Sequence, residues 1–191
     1  MTEKLKQRVL EISRKRGTTH ISSCLTALPI IEEIYQKKGD AQFVLSNGHA
    51  FLAWAVVKEA HEGMDALELA ERHGTHPNRN KRDKITVSTG SLGHGLGIAL
   101  GKALVGKEVY CLVSDGELAE GSCWEALRIK NELKLRNLHV YANLNGYSAL
   151  GAVDRQSLKT RLKAFCPDVE IRMTENDPGF EGVAGHYKKY D

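Results

Sequence analysis

One stretch, Val109 to Tyr147, constrains most strongly what this chain can fold into. Val109-Tyr110-Cys111-Leu112-Val113 is an apolar, β-prone run too short for a helix, and it stops at Ser114-Asp115-Gly116, as a buried parallel strand would. From Glu117 to Leu135, the positions of Leu118, Trp124, Leu127, Leu133 and Leu135 approximate helical spacing. Glu117 and Glu120 fall in the first turn, where carboxylates suit the positive end of the helix dipole. A second strand, Leu138 to Ala142, ends at Asn143-Leu144-Asn145-Gly146. The order strand, helix, strand is a βαβ unit. The predicted class is therefore α/β, a mostly parallel sheet with helices on both faces.

The crossover of such a unit is almost always right-handed, and both strands then end at one edge of the sheet, where open α/β folds bind ligands. Asp115 and Asn145 are thus expected to converge. A carboxylate, an amide oxygen and a backbone carbonyl just beyond form a hard oxygen set suited to Mg²⁺, with positions left for phosphate oxygens and water. The adjacent helix start adds unpaired N–H groups for an anion. A competing reading of the two Asx-Gly pairs is turn chemistry, since such side chains after strands commonly bond their own backbone.

Composition excludes other classes. A net charge of +3 without a dense basic face provides no electrostatic footprint for nucleic acid. Arg14-Lys15-Arg16 reads as solvated surface, and Lys81-Arg82 as surface or a ligand rim. Cys24, Cys111, Cys123 and Cys166 lack metal spacing and fit a reducing compartment. The chain opens on a charged amphipathic segment with no signal-like core, and no apolar run reaches membrane-spanning length. A soluble cytoplasmic protein is expected.

Along the chain, helices are expected at Glu3–Lys15, Leu25–Lys37, Phe51–His61 and Met64–His73, with a short strand at Phe43-Val44-Leu45. Between them lie a small-residue loop, Thr18 to Cys24, that contains His20, and a strand-to-helix turn, Ser46-Asn47-Gly48-His49, that aims an imidazole at the sheet edge. Pro77 restricts His76 to extended backbone. From Ile85 to Gly101, glycines at 93, 97 and 101 share one helical stripe, which must pack closely against another backbone to offset its cost. A phosphate loop is the rival reading, but the Walker lysine is absent and GxGxxG is not formed. Beyond Tyr147, a loop (Ser148–Asp154), a helix (Arg155–Phe165) and a strand (Val169–Met173) are expected.

These motifs together resemble the transketolase group of thiamine diphosphate enzymes. Asp115-Gly116, thirty positions before Asn145, is similar to the group's cofactor signature, with Ser114 in the place of its first glycine. Ser46-Asn47-Gly48-His49-Ala50 resembles its SxGHA motif, and Ser88 to Gly101 its STGSLGHG segment. The resemblance implies a thiamine-diphosphate-binding fold spanning residues 1–191, with a shortened C-terminal part. It implies Mg²⁺, or Ca²⁺ or Mn²⁺ in its place, held by Asp115, Asn145 and the Tyr147 carbonyl. Cofactor contacts fall on His49, Gly90, Ser91, Leu92, Asp115, Gly116, Glu117 and Asn145. His20, His49 and His76 become catalytic, and Glu120 joins a carboxylate network between active sites. His186 is a further candidate.

The implied activity is transfer of two-carbon ketol units between ketose and aldose (phosphate) substrates. The implied partners are a separate C-terminal subunit that binds the pyrimidine, and a second copy meeting through the Gly90–Gly101 region, with no nucleic acid and no membrane. Two alternatives stay open: another thiamine diphosphate enzyme subunit, deoxyxylulose-phosphate synthase-like or decarboxylase-like, and a non-catalytic cofactor-binding or assembly subunit.

Overall fold

Strand β1 (Gln42–Leu45) follows helices α1 (Thr2–Arg16) and α2 (Ile21–Lys37) and leads into α3 (Phe51–Glu62), α4 (Ala66–His73) and α5 (His94–Leu104). Then come β2 (Val109–Ser114), α6 (Gly121–Glu132), β3 (Leu138–Leu144), a small hairpin of β4 (Tyr147–Ser148) and β5 (Gly151–Ala152), α7 (Arg155–Phe165) and β6 (Glu170–Met173). The computed structural model describes residues 2–180 and 188–189.

The main sheet has the order β1-β2-β3-β6, and every pairing in it is parallel. Leu45 lies beside Leu112, and Leu112 beside Tyr141. Because successive side chains alternate across a strand, Phe43, Leu45, Leu112 and Tyr141 enter one core with α1 to α4. Val44, Cys111, Val113, Val140 and Ala142 enter a second core with α5 to α7. Burial on both faces explains why the central strands read as continuous apolar runs rather than alternating ones. All four strands end at the same edge. There the ladder continues into the loops: Ser46 N–H donates to the Leu112 carbonyl (2.9 Å), Asp115 N–H to Asn143 (3.1 Å) and Thr174 N–H to Leu144 (3.2 Å).

Three local expectations are corrected. The helix foreseen over Glu117–Leu135 is a 3-10 turn at Glu117–Ala119 followed by α6, and Glu120 between them is extended. The break lets the chain leave β2 sharply enough to keep Asp115 at the rim. The loop foreseen up to Cys24 ends earlier, since α2 begins at Ile21 with His20 in a left-handed conformation (φ 63°). The glycine stripe also divides. Gly93 (φ 77°) makes the turn before α5, whereas a Cβ on Gly97 or Gly101 would meet nothing within 4 Å. The close approach falls instead on Gly95, where a Cβ would lie 2.6 Å from the Ser46 Cα.

Edge strand β6 is clamped to α2 by a two-pronged contact. Arg172 Nε and Nη2 donate to Glu33 Oε2 (2.9 Å) and Oε1 (2.6 Å). The Arg172 hydrogen bonds, opposed by burial and aided by Lys37, pull the Glu33 carboxyl from 4.5 down to about 2. A depressed carboxyl stabilises the fold above its unfolded value, and that stability is lost as pH falls from about 4.5 towards 2. Glu33→Gln is expected to lower the unfolding free energy by roughly 1 kcal/mol at pH 7, a figure discounted for partial exposure. Urea denaturation at pH 7 and near the acid end of that window should show the gap between the two proteins narrowing.

Candidate active site

A cleft of about 190 Å³ opens at the C-terminal edge of the sheet. Its floor is the strand ends, and its central feature is Asp115, 2% exposed. Gly146 N–H donates to Asp115 Oδ2 at 2.6 Å, so the loops after β2 and β3 are joined directly. Gly146 needs its glycine for this, because the loop turns there with φ 89°. Asp115 Oδ1 has no partner among the described residues. Burial raises this carboxyl from 3.8 to about 6, against the opposing pull of N–H groups from Gly146, Asp115 itself, Gly116 and Tyr147. A carboxylate this deep, with one oxygen unsatisfied, is a position that a cation would stabilise.

Asn145 lines the same cleft. Its Oδ1 accepts from Tyr147 N–H at 3.0 Å, and its Nδ2 donates to Thr26 Oγ1 at 3.4 Å. The first bond is the Asx turn of the competing reading, and it leaves the oxygen a second lone pair. Turn chemistry and metal ligation are therefore compatible at this residue. No group of three or more His, Cys, Asp or Glu side chains suited to a metal exists among the described residues. A set of one carboxylate with amide and carbonyl oxygens falls outside that criterion, and Asp115 and Asn145 both line this cleft.

The imidazoles gather around this floor. His49 rides on a 3-10 turn, Gly48–Ala50, and its ring centroid is 5.4 Å from that of His20. His20 Nδ1 shares a hydrogen bond with Thr19 Oγ1 at 2.8 Å. His76 closes the cleft against Gly90, where a Cβ would sit 3.0 Å from the His76 Cγ and the backbone has φ 143°. Both the torsion and the lack of space require glycine there. Leu92, Gly116 and Tyr147 complete the part of the wall foreseen from sequence.

Three of the foreseen residues are not in the lining. Ser91 is exposed outside it. Glu120 is an exposed residue ahead of α6. Glu117 is fully buried beneath the cleft, where its Oε1 accepts from Ser46 Oγ (2.9 Å) and Gly93 N–H (3.1 Å). It thereby ties the loops after β1 and before α5 to the loop after β2, and burial pushes its carboxyl up to about 7. His186 lies outside the described residues.

The sequence reading also missed residues. Asn47 is 1% exposed, lines the cleft, and neither amide atom has a partner among the described residues. A buried amide without partners costs about 1–3 kcal/mol, so its retention points to a ligand that completes it. The signal was available in its place between a strand end and the His49 turn. A belt of amides and hydroxyls also spans the strand ends. Thr174 Oγ1 donates to Asn143 Oδ1 (2.6 Å), Ser22 Oγ to Asn176 Oδ1 (2.6 Å) and Asn176 Nδ2 to the Asn145 carbonyl (2.8 Å). No spacing rule couples residues so far apart in the chain.

Residues 32–179 match the family described as transketolase, thiamine diphosphate binding domain. One of the named subunits of apulose-4-phosphate transketolase from Phocaeicola vulgatus is 32% identical, over 88% of this chain and 69% of that protein. Human transketolase is also 32% identical, over 82% of this chain and 28% of its own. The chain thus spans about a quarter of the length of the human transketolase and similar relatives it matches. Among solved structures, transketolase from Campylobacter jejuni superposes with a TM-score of 0.69 at 22% identity, covering 85% of this chain and 31% of that one. The Leishmania mexicana enzyme does so with 0.67 at 19% identity, covering 97% and 39%. The chain belongs to the transketolase family, and its fold is the one these enzymes use for their thiamine diphosphate domain.

Replacing Asn47 with leucine removes two unsatisfied polar atoms and keeps the branched outline of the side chain, its extra bulk directed at the cleft that Asn47 lines. The ligand-free chain is expected to gain roughly 1 kcal/mol of stability in urea unfolding, while losing affinity for whatever ligand completes the amide. Equal or lower stability would show that the Asn47 amide is already satisfied.

Proposed function

We propose that this chain is the diphosphate-binding subunit of a split transketolase, transferring two-carbon ketol units between ketose and aldose (phosphate) substrates together with a separate pyrimidine-binding subunit. The observation that carries this reading is Asp115: a buried carboxylate with one oxygen unsatisfied, hydrogen-bonded to the loop of Asn145, on the floor of a cleft walled by three histidines. The relative of comparable extent supports the split arrangement, since its own name makes it one part of an assembly.

In this reading Asp115, Asn145 and the Tyr147 carbonyl hold Mg²⁺, or Ca²⁺ or Mn²⁺ in its place, and the metal's charge offsets the burial of Asp115. Gly116, at the start of the 3-10 turn, Gly90, Leu92 and His49 border the diphosphate and thiazolium end of thiamine diphosphate. When bound, the cofactor supplies the carbanion nucleophile and the electron sink that C–C cleavage of a ketose requires. His20, His49 and His76 hold and move protons at substrate oxygens, a task suited to imidazoles, which can both donate and accept. Glu117 acts by holding the Ser46 and Gly93 loops in place, and Glu120 joins a carboxylate network with a second active site only across a contact between subunits. The open face around Gly97 and Gly101, beside the exposed Ile98 and Leu104, is where a second copy would pack.

The test combines the chain with the product of a candidate partner gene and assays ketol transfer from ketose donors. Activity should require both polypeptides, thiamine diphosphate and a divalent ion. Asp115→Ala should abolish the metal-dependent part of cofactor binding, measured by calorimetry. Full transfer by this chain alone would overturn the split-subunit reading, and unchanged metal dependence in Asp115→Ala would remove this residue from the metal site.

A further inference from the structure

The basic residues at Lys81-Arg82 lie outside the catalytic cleft, and part of this segment walls a second, differently built hollow. At the opposite end of β1, a cavity of about 320 Å³ is lined by Gln42, Arg79, Lys81, Lys84, Thr86 and Lys102, among others. It shares no residue with the catalytic cleft.

The wall is rigid for a surface loop. Asn80 and Ile85 exchange backbone hydrogen bonds at 2.8 and 2.9 Å, and Lys84 N–H donates to the Lys81 carbonyl at 3.2 Å. Lys84 holds φ 54°, an unusual conformation for a residue with a side chain. Asp83 anchors the turn from beneath: it is 3% exposed and accepts from Arg72 Nη1 (2.7 Å) and bonds His73 Nε2 (2.8 Å).

The charges on this wall lack compensation. Among the described residues, no carboxylate pairs with Arg79, Lys81 or Lys102, and of the four cations only Lys84 has an acidic partner, Glu62 at 3.3 Å. Burial and the neighbouring positive charges of Arg79 and Lys107 hold the Lys102 ammonium below its ordinary value. Thr86 Oγ1 is buried in the same wall with no partner among the described residues, and Lys102 Nζ keeps the Gln42 amide in place through its Oε1 at 2.9 Å.

We propose that this hollow is an anion site for a small, multiply charged phosphate compound. Like charges held together by a rigid turn, three of them with no ion-pair partner among the described residues and the turn's own Asp83 engaged by Arg72 and His73, form a region of positive potential that an anion relieves. An Arg beside lysines, with a hydroxyl and an amide at hand, matches the acceptor-rich surface of a phosphate group. The concave wall favours a small ligand over the flat acidic face of a protein.

The probe is tripolyphosphate, added without metal to the isotopically labelled chain and followed by amide chemical shifts. Saturable shifts are expected at Asn80 to Thr86 and around Lys102. Affinity should fall about tenfold or more in Arg79→Gln/Lys102→Gln, weaken with added NaCl, and stay unchanged in Lys4→Gln/Lys15→Gln, which removes the same charge from α1. Shifts confined to Gly116 and Gly146 would place the probe in the catalytic cleft and overturn the proposal. Equal loss in both double variants would reduce it to unspecific charge attraction, and absence of binding would end it.

Discussion

The hydrogen bond from the Gly146 amide to the Asp115 carboxylate joins two residues that the chain keeps thirty-one positions apart, and the floor of the cleft is built around it. It can form only because β2 and β3 are parallel neighbours in register, with Ser114 beside Asn143, so that both strands run out at one level. A shift of register by one residue would turn Asp115 to the opposite face and separate it from the Asn145 loop. The unsatisfied second oxygen follows from the same geometry. The carboxylate is held by neighbouring N–H groups at the rim, yet too deep for water to solvate freely.

Around that bond the structure uses buried polar groups as struts. Glu117 links the Ser46 and Gly93 turns, so the Asn47-to-His49 loop and the loop carrying Gly90 and Leu92 are set relative to Asp115 by one side chain. Gly95 permits the approach, because any side chain there would press on the Ser46 backbone. The site is thus made by backbone proximity first and by functional side chains second. This accounts for the close packing of glycine, serine and asparagine around the cleft, where small residues let one turn come up against the next.

Much of this was legible in the chain. The apolar strands, the Asp115 and Asn145 turns, and three histidines each next to a turn or a proline were readable because strand and turn chemistry is local. Glu120 and the glycine stripe were harder, because their surroundings depend on where a helix starts and on which surface faces outward. The expected helix over 117–135 breaks at Glu120, since the chain must first clear the end of β2 before it can coil. The stripe reads as one feature by spacing, yet Gly93 and Gly95 serve the intramolecular contact while Gly97 and Gly101 face outward.

By itself, the amino-acid sequence determined the α/β class, the convergence of two polar turns at one sheet edge, and the membership that its ordered motifs imply. Those properties rest on periodicity, handedness and turn preferences, which act over a few residues or one crossover. Tertiary structure alone decided that Asn47 would be buried with an incomplete amide, that Glu117 would lie under the cleft rather than in it, and that Arg79, Lys81, Lys84 and Lys102 would share one wall. Each of these depends on which distant backbone arrives beside a residue, and burial and charge compensation are properties of that neighbourhood rather than of the residue.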